Sequence, residues 1–144
     1  MKVEIQEGFS NIEVVIKCPE ITEEINRIAS LLQGHEQKLN GIIDRSTHLI
    51  DRHDIFYFES VDKQNFIYTA SEVYETDLKL YEIEERLTAS GFFRNSKSQV
   101  LNIAKIKSLC PDFGGRIEAV MENGEILIVS RRYSKLLRER LKLK

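Results

Sequence analysis

The sequence predicts an α+β fold, mostly β with short helices as accessories, and three observations lead there. Between residues 42 and 76 short runs rich in Thr, Ile, Phe, Tyr and Val follow one another closely. Near the C-terminus the pair Asn123-Gly124 separates two apolar runs, a strong signal for a tight hairpin turn. Helical periodicity is confined to three separate stretches of the chain.

The elements follow in chain order. In NIEVVIKC, residues 11–18, β-branched residues crowd a short run that Pro19 and Glu20 end, which predicts a buried strand. In the next stretch Ile21, Ile25, Ile28 and Leu32 make one apolar helical stripe, with Thr22 as its cap and Gly34 as its stop. EQKLNG, ending at Gly41, reads as a junction. Residues 1–41 are therefore expected to form a strand–helix extension ahead of a domain at 42–144. It is either a dimerisation or partner-binding element or a simple packing appendage, since an acidic amphipathic helix needs only a core to cover. THLI, DIFYFESV, NFIYTA and SEVYET are the strands of that domain, and DKQN, residues 62–65, is a hairpin turn. Leu80, Ile83 and Leu87 share one face of a helix that Gly91 follows. A strand near IKSLC and the hairpin RIEAVM–ENG–EILIVS come next. A last helix starts at Ser130, with Tyr133, Leu136, Leu137 and Leu141 on its apolar side.

At 144 residues, 42% of them apolar, the chain can bury a real core. Its apolar runs are far shorter than a membrane helix needs, and the N-terminus lacks the apolar region of a signal peptide. Cys18 and Cys110 stand far apart with no metal-ligand spacing. They are expected to be small buried hydrophobes in a reducing cytoplasm. No nucleotide-binding, nucleophile-elbow or zinc-protease motif occurs, and His35, His48 and His53 lack the spacing of paired ligands. Glu82, Glu84 and Glu85 sit on the solvated side of an amphipathic helix. The residues thus predict neither an enzyme nor a cofactor or metal site.

Charge is distributed unevenly. Residues 1–93 hold 9 Lys and Arg against 18 Asp and Glu, a net of −9, while residues 94–144 hold 12 against 5, a net of +7. A basic part of this kind suits a polyanion, and the acidic part must then face away from it. Three separated segments carry donors apt for bases and phosphates: DKQN, RNSKSQ at 94–99, and SRRYSK at 130–135. In the last, Arg131 and Arg132 fall at a helix start, where free backbone N–H groups attract phosphate. Each segment alone would also serve as a solvated turn.

Taken in order, these pieces resemble the LytTR family of bacterial DNA-binding domains, over roughly residues 42–141. DIFYFES, a polar turn, and the helix pattern of Leu80, Ile83 and Leu87 come first. FFRNSKSQVLNIAKI follows, with Phe92, Arg94, Ser98 and Asn102 at the family's intervals, then the N-G hairpin and VSRRYSKLL. The resemblance implies stacked small antiparallel sheets and a regulator that binds duplex DNA with loops in the major groove. It implies that Phe92 and Phe93 anchor one end of the RNSKSQ loop in the core, and that Val100, Leu101 and Ile103 anchor the other. Asn102 is expected to cap a short helical turn at Ile103. The family's base-reading positions fall on Asn65, Lys97 and Arg132. Some members carry His and Asn at the first two; here Asn and Lys leave the kind of site intact and the preferred base sequence open. Lys63, Arg94, Ser96, Arg131 and Lys135 are the expected phosphate contacts.

About 41 residues precede the matching region, too few for the receiver domain that many relatives carry. The resemblance therefore implies a stand-alone regulator, acting on a repeated DNA site as two copies, with a homodimer or a small membrane protein as further partners. The alternative reading is a protein-interaction module on the same scaffold, working through its acidic N-terminal part without specific DNA binding.

Overall fold

A computed structural model describes residues 1–34 and 38–143. His35 lies outside them. Helix α1 spans Glu23–Gly34 and is capped as expected, the Ile25 amide donating to Thr22 Oγ1. Then come strands β1 (Lys38–Ile43), β2 (Ser46–Asp51), β3 (Ile55–Val61), β4 (Gln64–Thr69) and β5 (Val73–Thr76). Helix α2 (Leu80–Leu87) is followed by β6 (Phe92–Arg94), β7 (Gln99–Asn102), β8 (Ile106–Pro111), β9 (Ile117–Met121) and β10 (Ile126–Val129), and α3 (Arg131–Arg140) closes the fold. The expected mostly β architecture is present as two antiparallel sheets. One has seven strands in the order β2-β1-β5-β4-β3-β7-β6, the other three in the order β10-β9-β8.

Two apolar layers hold the strands together. On one side of the large sheet Ile55, Phe58, Ile67 and Val100 pack with Leu80, Ile83 and Leu87 of α2 and with Phe92. On the other side Phe56, Tyr57 and Leu101 meet Ile117, Ala119, Met121, Leu127 and Val129 of the small sheet and Leu137 of α3. A strand between two apolar layers cannot keep a polar face. Ile55, Phe56, Tyr57 and Phe58 are accordingly all buried, with a register irregularity between Ile55 and Tyr57. Phe92 meets Phe58 edge-on at 5.5 Å between centroids, and Phe93 packs on the second layer. The segment before the RNSKSQ loop is therefore fixed on both faces of the sheet, as Val100 and Leu101 fix the segment after it.

Several expectations need correction. Residues 11–18 are not a buried strand: 1–22 form neither helix nor strand, and all but the half-buried Cys18 are exposed. Residues 38–41 belong to the sheet and are not a junction. Gly41 pairs with His48, and a Cβ there would stand 2.4 Å from Ile50 Cδ1 and 2.6 Å from Tyr74 Cβ. That glycine records a close approach, not a chain break. Cys110 is exposed because it lies on β8, an edge strand of the small sheet. Leu136 is likewise 51% exposed, since α3 buries only the side that carries Leu137. No described helix is long and apolar enough to cross a membrane, and no described group of side chains is arranged to hold a metal ion.

Candidate nucleic-acid interface

Three loops reach toward one end of the fold, and the middle one explains how they are held. Phe92–Arg94 and Gln99–Asn102 pair antiparallel as β6 and β7, so the four residues between them close a tight turn. Of the six polar residues 94–99, Asn95 is buried, Arg94, Ser96 and Gln99 are half-buried, and Lys97 and Ser98 are exposed. Arg94 Nε donates to the Ser96 carbonyl at 2.7 Å, Nη2 to the Lys97 carbonyl, and Nη1 reaches Glu84 of α2 at 3.3 Å. Ser96 Oγ accepts from the Ser98 amide at 3.2 Å.

Asn95 is fully buried. Its Nδ2 donates to Gln99 Oε1 at 2.8 Å and to the Ile128 carbonyl of β10 at 3.0 Å, while its own carbonyl accepts from the Ser130 amide at 2.8 Å. Gln99 in turn donates to Glu59 of β3. A polar chain thus runs from the large sheet, through the middle loop, to the start of α3. Lys97 and Ser98 are what it leaves exposed.

The first loop stands beside the middle one. Asp62 and Lys63 close the β3–β4 hairpin with φ of 49° and 67°, the left-handed pair a two-residue turn of this hand requires. Lys63, Lys79, Arg94, Lys97 and Ser98 line a shallow cleft of about 340 Å³ that also takes in Asn65. Asn65 itself is 9% exposed, and its Nδ2 donates to the Leu78 carbonyl at 2.8 Å. The amide of this expected base-reading residue thus satisfies the backbone between β5 and α2. Lys63, Gln64 and Lys79 are the exposed donors at this corner among the described residues. Gln64 belongs to the DKQN segment already singled out for its donors. Lys79 was not among the expected contacts, although it sits at the start of α2, where a lysine one residue before an apolar helix could have drawn notice.

The third loop is the junction of β10 and α3. Its register is set by Ser134 Oγ, which donates to the carbonyls of Val129 and Ser130. Arg131, Arg132 and Lys135 are exposed there, and the Arg132 guanidinium lies 5.5 Å from the centre of the Tyr133 ring.

Not all of the C-terminal positive charge is available at this end. Arg140 donates to the Phe92 carbonyl at 3.1 Å and to the Thr88 carbonyl at 2.6 Å. Burial first, and then the charge of Arg27, lower its pKa from the usual arginine value. Lys105 pairs with Glu122 and Arg116 with Asp112. Arg94, an expected phosphate contact, is turned inward with its side chain 17% exposed and its donors on the loop's own carbonyls. Ser96 is half-buried with a similar task. Asn102 accepts from the Ala104 amide at 3.1 Å as the expected cap and donates to the Ile55 carbonyl.

Comparison with known proteins agrees with this geometry. The family model of the LytTr DNA-binding domain matches residues 45–142. An uncharacterized HTH-type transcriptional regulator of Staphylococcus aureus strain NCTC 8325 is 32% identical over 119 residues, which are 83% of this chain and 79% of that one. Its counterpart in strain MRSA252 is 31% identical over the same shares. Among solved structures, the LytTr DNA-binding domain of a Bacillus cereus protein described as a methyl-accepting/DNA response regulator superposes with a TM-score of 0.70. That match covers 73% of this chain and 96% of the other at 24% identity. The three α-helices described here are separated by strands, so a pair of consecutive helices of the helix-turn-helix kind is absent among the described residues.

Proposed function

The chain belongs to the LytTr DNA-binding domain family, and we propose that it regulates transcription by reading a specific duplex sequence with its loop tips. Lys97 and Arg132 enter the major groove, where lysine and arginine suit the O6 and N7 acceptors of guanine. Lys63, Lys79, Arg131 and Lys135 contact phosphates and fix the register. Arg94, Ser96 and Asn65 shape the platform and do not touch bases. Two copies acting on a repeated site would place such a regulator with its DNA, in the cytoplasm.

One observation carries this reading. Asn95 ties the tip that bears Lys97 to the helix start that bears Arg132, through the Ile128 carbonyl and the Ser130 amide. Two exposed cationic tips held in fixed register are a costly arrangement for solvated turns. They are what base readout needs, because a bidentate contact fails when its donor is misplaced by about an ångström.

The test is selection from random duplex DNA with wild type and Arg132→Ala, at near-physiological salt. Wild type should enrich one motif, and Arg132→Ala should lose about 1–3 kcal/mol for that motif while keeping its affinity for random DNA. Lys135→Ala should weaken both alike and reduce the salt slope by about one. Equal loss of specific and random binding in Arg132→Ala would remove its reading role.

A further inference from the structure

The N-terminal arm is an unpaired strand sequence held out from the fold. Ile12 is 100% exposed, Val14 61% and Val15 69%, and residues 1–22 join no sheet. Four of the eight residues in Asn11–Cys18 are β-branched, and Pro19 ends the run. A stretch of this kind is a template for pairing with another chain. From the order of its residues we infer that it pairs antiparallel with the same arm of a second copy of this chain, about a twofold axis at Val15.

Charge selects that register over its neighbours. Centred on Val15, Glu13 lies directly opposite Lys17 of the second copy, and Lys17 opposite its Glu13, so two ion pairs flank the Val15 pair on one face. The other face is then wholly apolar: Ile12 stands opposite Cys18, and Val14 opposite Ile16. A centre at Val14 would set Glu13 against Val15 and Lys17 against Asn11. A centre at Ile16 would set Glu13 against Pro19. Parallel pairing would set Glu13 on Glu13 and Lys17 on Lys17, which is repulsive. Only one of these arrangements leaves both faces satisfied.

A two-stranded ribbon is marginal alone and needs a helix on its apolar face. Helix α1 follows the arm directly, packs in its own chain against the short turn Thr88–Ser90, and leaves Leu31 and Leu32 exposed, with Ile21 exposed just ahead of it. Two arms and two such helices can close one small core. No residue of the DNA-facing loops takes part, so the pairing stands whether or not the DNA reading holds.

Sedimentation of the whole chain over a concentration series tests the pairing. Wild type should dimerise, and Glu13→Lys or Lys17→Glu should each weaken the dimer about tenfold, because each change alters both symmetric pairs. Glu13→Lys combined with Lys17→Glu should restore it. Ile12→Cys in a Cys110→Ser background, oxidised with diamide, should give a covalent dimer through Cys18 of the second copy, while Cys110→Ser alone should not. All these changes lie on exposed side chains, and circular dichroism verifies that the fold is kept. A chain that stays monomeric at its highest soluble concentration, or a dimer indifferent to both reversals, would overturn self-pairing and leave the arm to a different protein.

Discussion

The buried amide of Asn95 offers the sharpest check on how the platform is built. Asn95→Ala removes two hydrogen bonds, to Gln99 Oε1 and the Ile128 carbonyl, from a fully buried position. Each such bond contributes about 1 kcal/mol net, and a buried carbonyl left without a donor costs about 1–3 kcal/mol. Against this, Asn95 Oδ1 is buried with no hydrogen-bond partner among the described residues, and the truncation removes that unfavourable group. The balance is a loss of about 2–3 kcal/mol, or a fall in Tm of about 8–12 °C. Urea unfolding followed by fluorescence and by circular dichroism measures it. Asn95→Asp should be worse than alanine at neutral pH, since it sets a carboxylate against two acceptors. Burial raises the pKa of that carboxyl in the folded state, so the stability of this variant should recover as pH falls and disappear as pH rises. A second readout follows from position. Folded Asn95→Ala should lose sequence preference more than it loses affinity for random DNA, because the tips bearing Lys97 and Arg132 are no longer in register. Stability within about 0.5 kcal/mol of wild type, with preference intact, would refute the reasoning.

Three further outcomes follow from the same geometry. Arg94→Lys should destabilise by about 1–2 kcal/mol in urea unfolding, because an ammonium cannot bridge the Ser96 and Lys97 carbonyls together, and should leave the salt slope of DNA binding unchanged. Asn65→Ala should cost about 1–3 kcal/mol of stability by orphaning the Leu78 carbonyl, with the selected DNA motif unaltered; a changed motif would return Asn65 to the reading face. Burial first, and then the hydrogen bond to Glu125, raise the pKa of the Tyr57 phenol well above the usual tyrosine value. Its contribution is complete below the unfolded tyrosine pKa of about 10 and is lost as pH rises beyond it, so Tyr57→Phe should flatten the alkaline fall in stability seen by thermal unfolding.

Where the sequence was legible, local chemistry and global packing asked for the same thing. Asn123-Gly124 needed no partner to specify a turn, and Gly124 does take a φ of 90°. Leu80, Ile83 and Leu87 are buried as their spacing demands, and Asn102 caps its turn. Misreadings arose where a residue type served two masters. The hairpin closes on Asp62 and Lys63 alone, so Asn65 is already in the ladder opposite Ser60 and no longer in the turn. With a period of two, that shift decides which face a side chain takes. β-Branched content at 11–18 reported a capacity to pair but not the identity of the partner, and no described strand of the same chain pairs with it.

The RNSKSQ stretch carries this furthest. Asn, Arg, Ser and Gln are chemically fit to read bases, and they are equally fit to satisfy backbone carbonyls in a loop too short for a ladder of its own. What decides between the two uses is which carbonyls the fold brings within reach of these donors. Here the carbonyls of Ser96, Lys97 and Ile128 take up the donors of Arg94 and Asn95. A sequence does not display that demand, because Ile128 lies 33 residues further along the chain. Once it is met, the loop has little freedom left, and Lys97 and Ser98 stand exposed at its tip. Rigidity and exposure thus come from the same six residues. On the proposed reading, a loop whose backbone is already held in this way has little backbone entropy to lose on meeting DNA, so the polar groups turned inward would favour binding along with those turned outward.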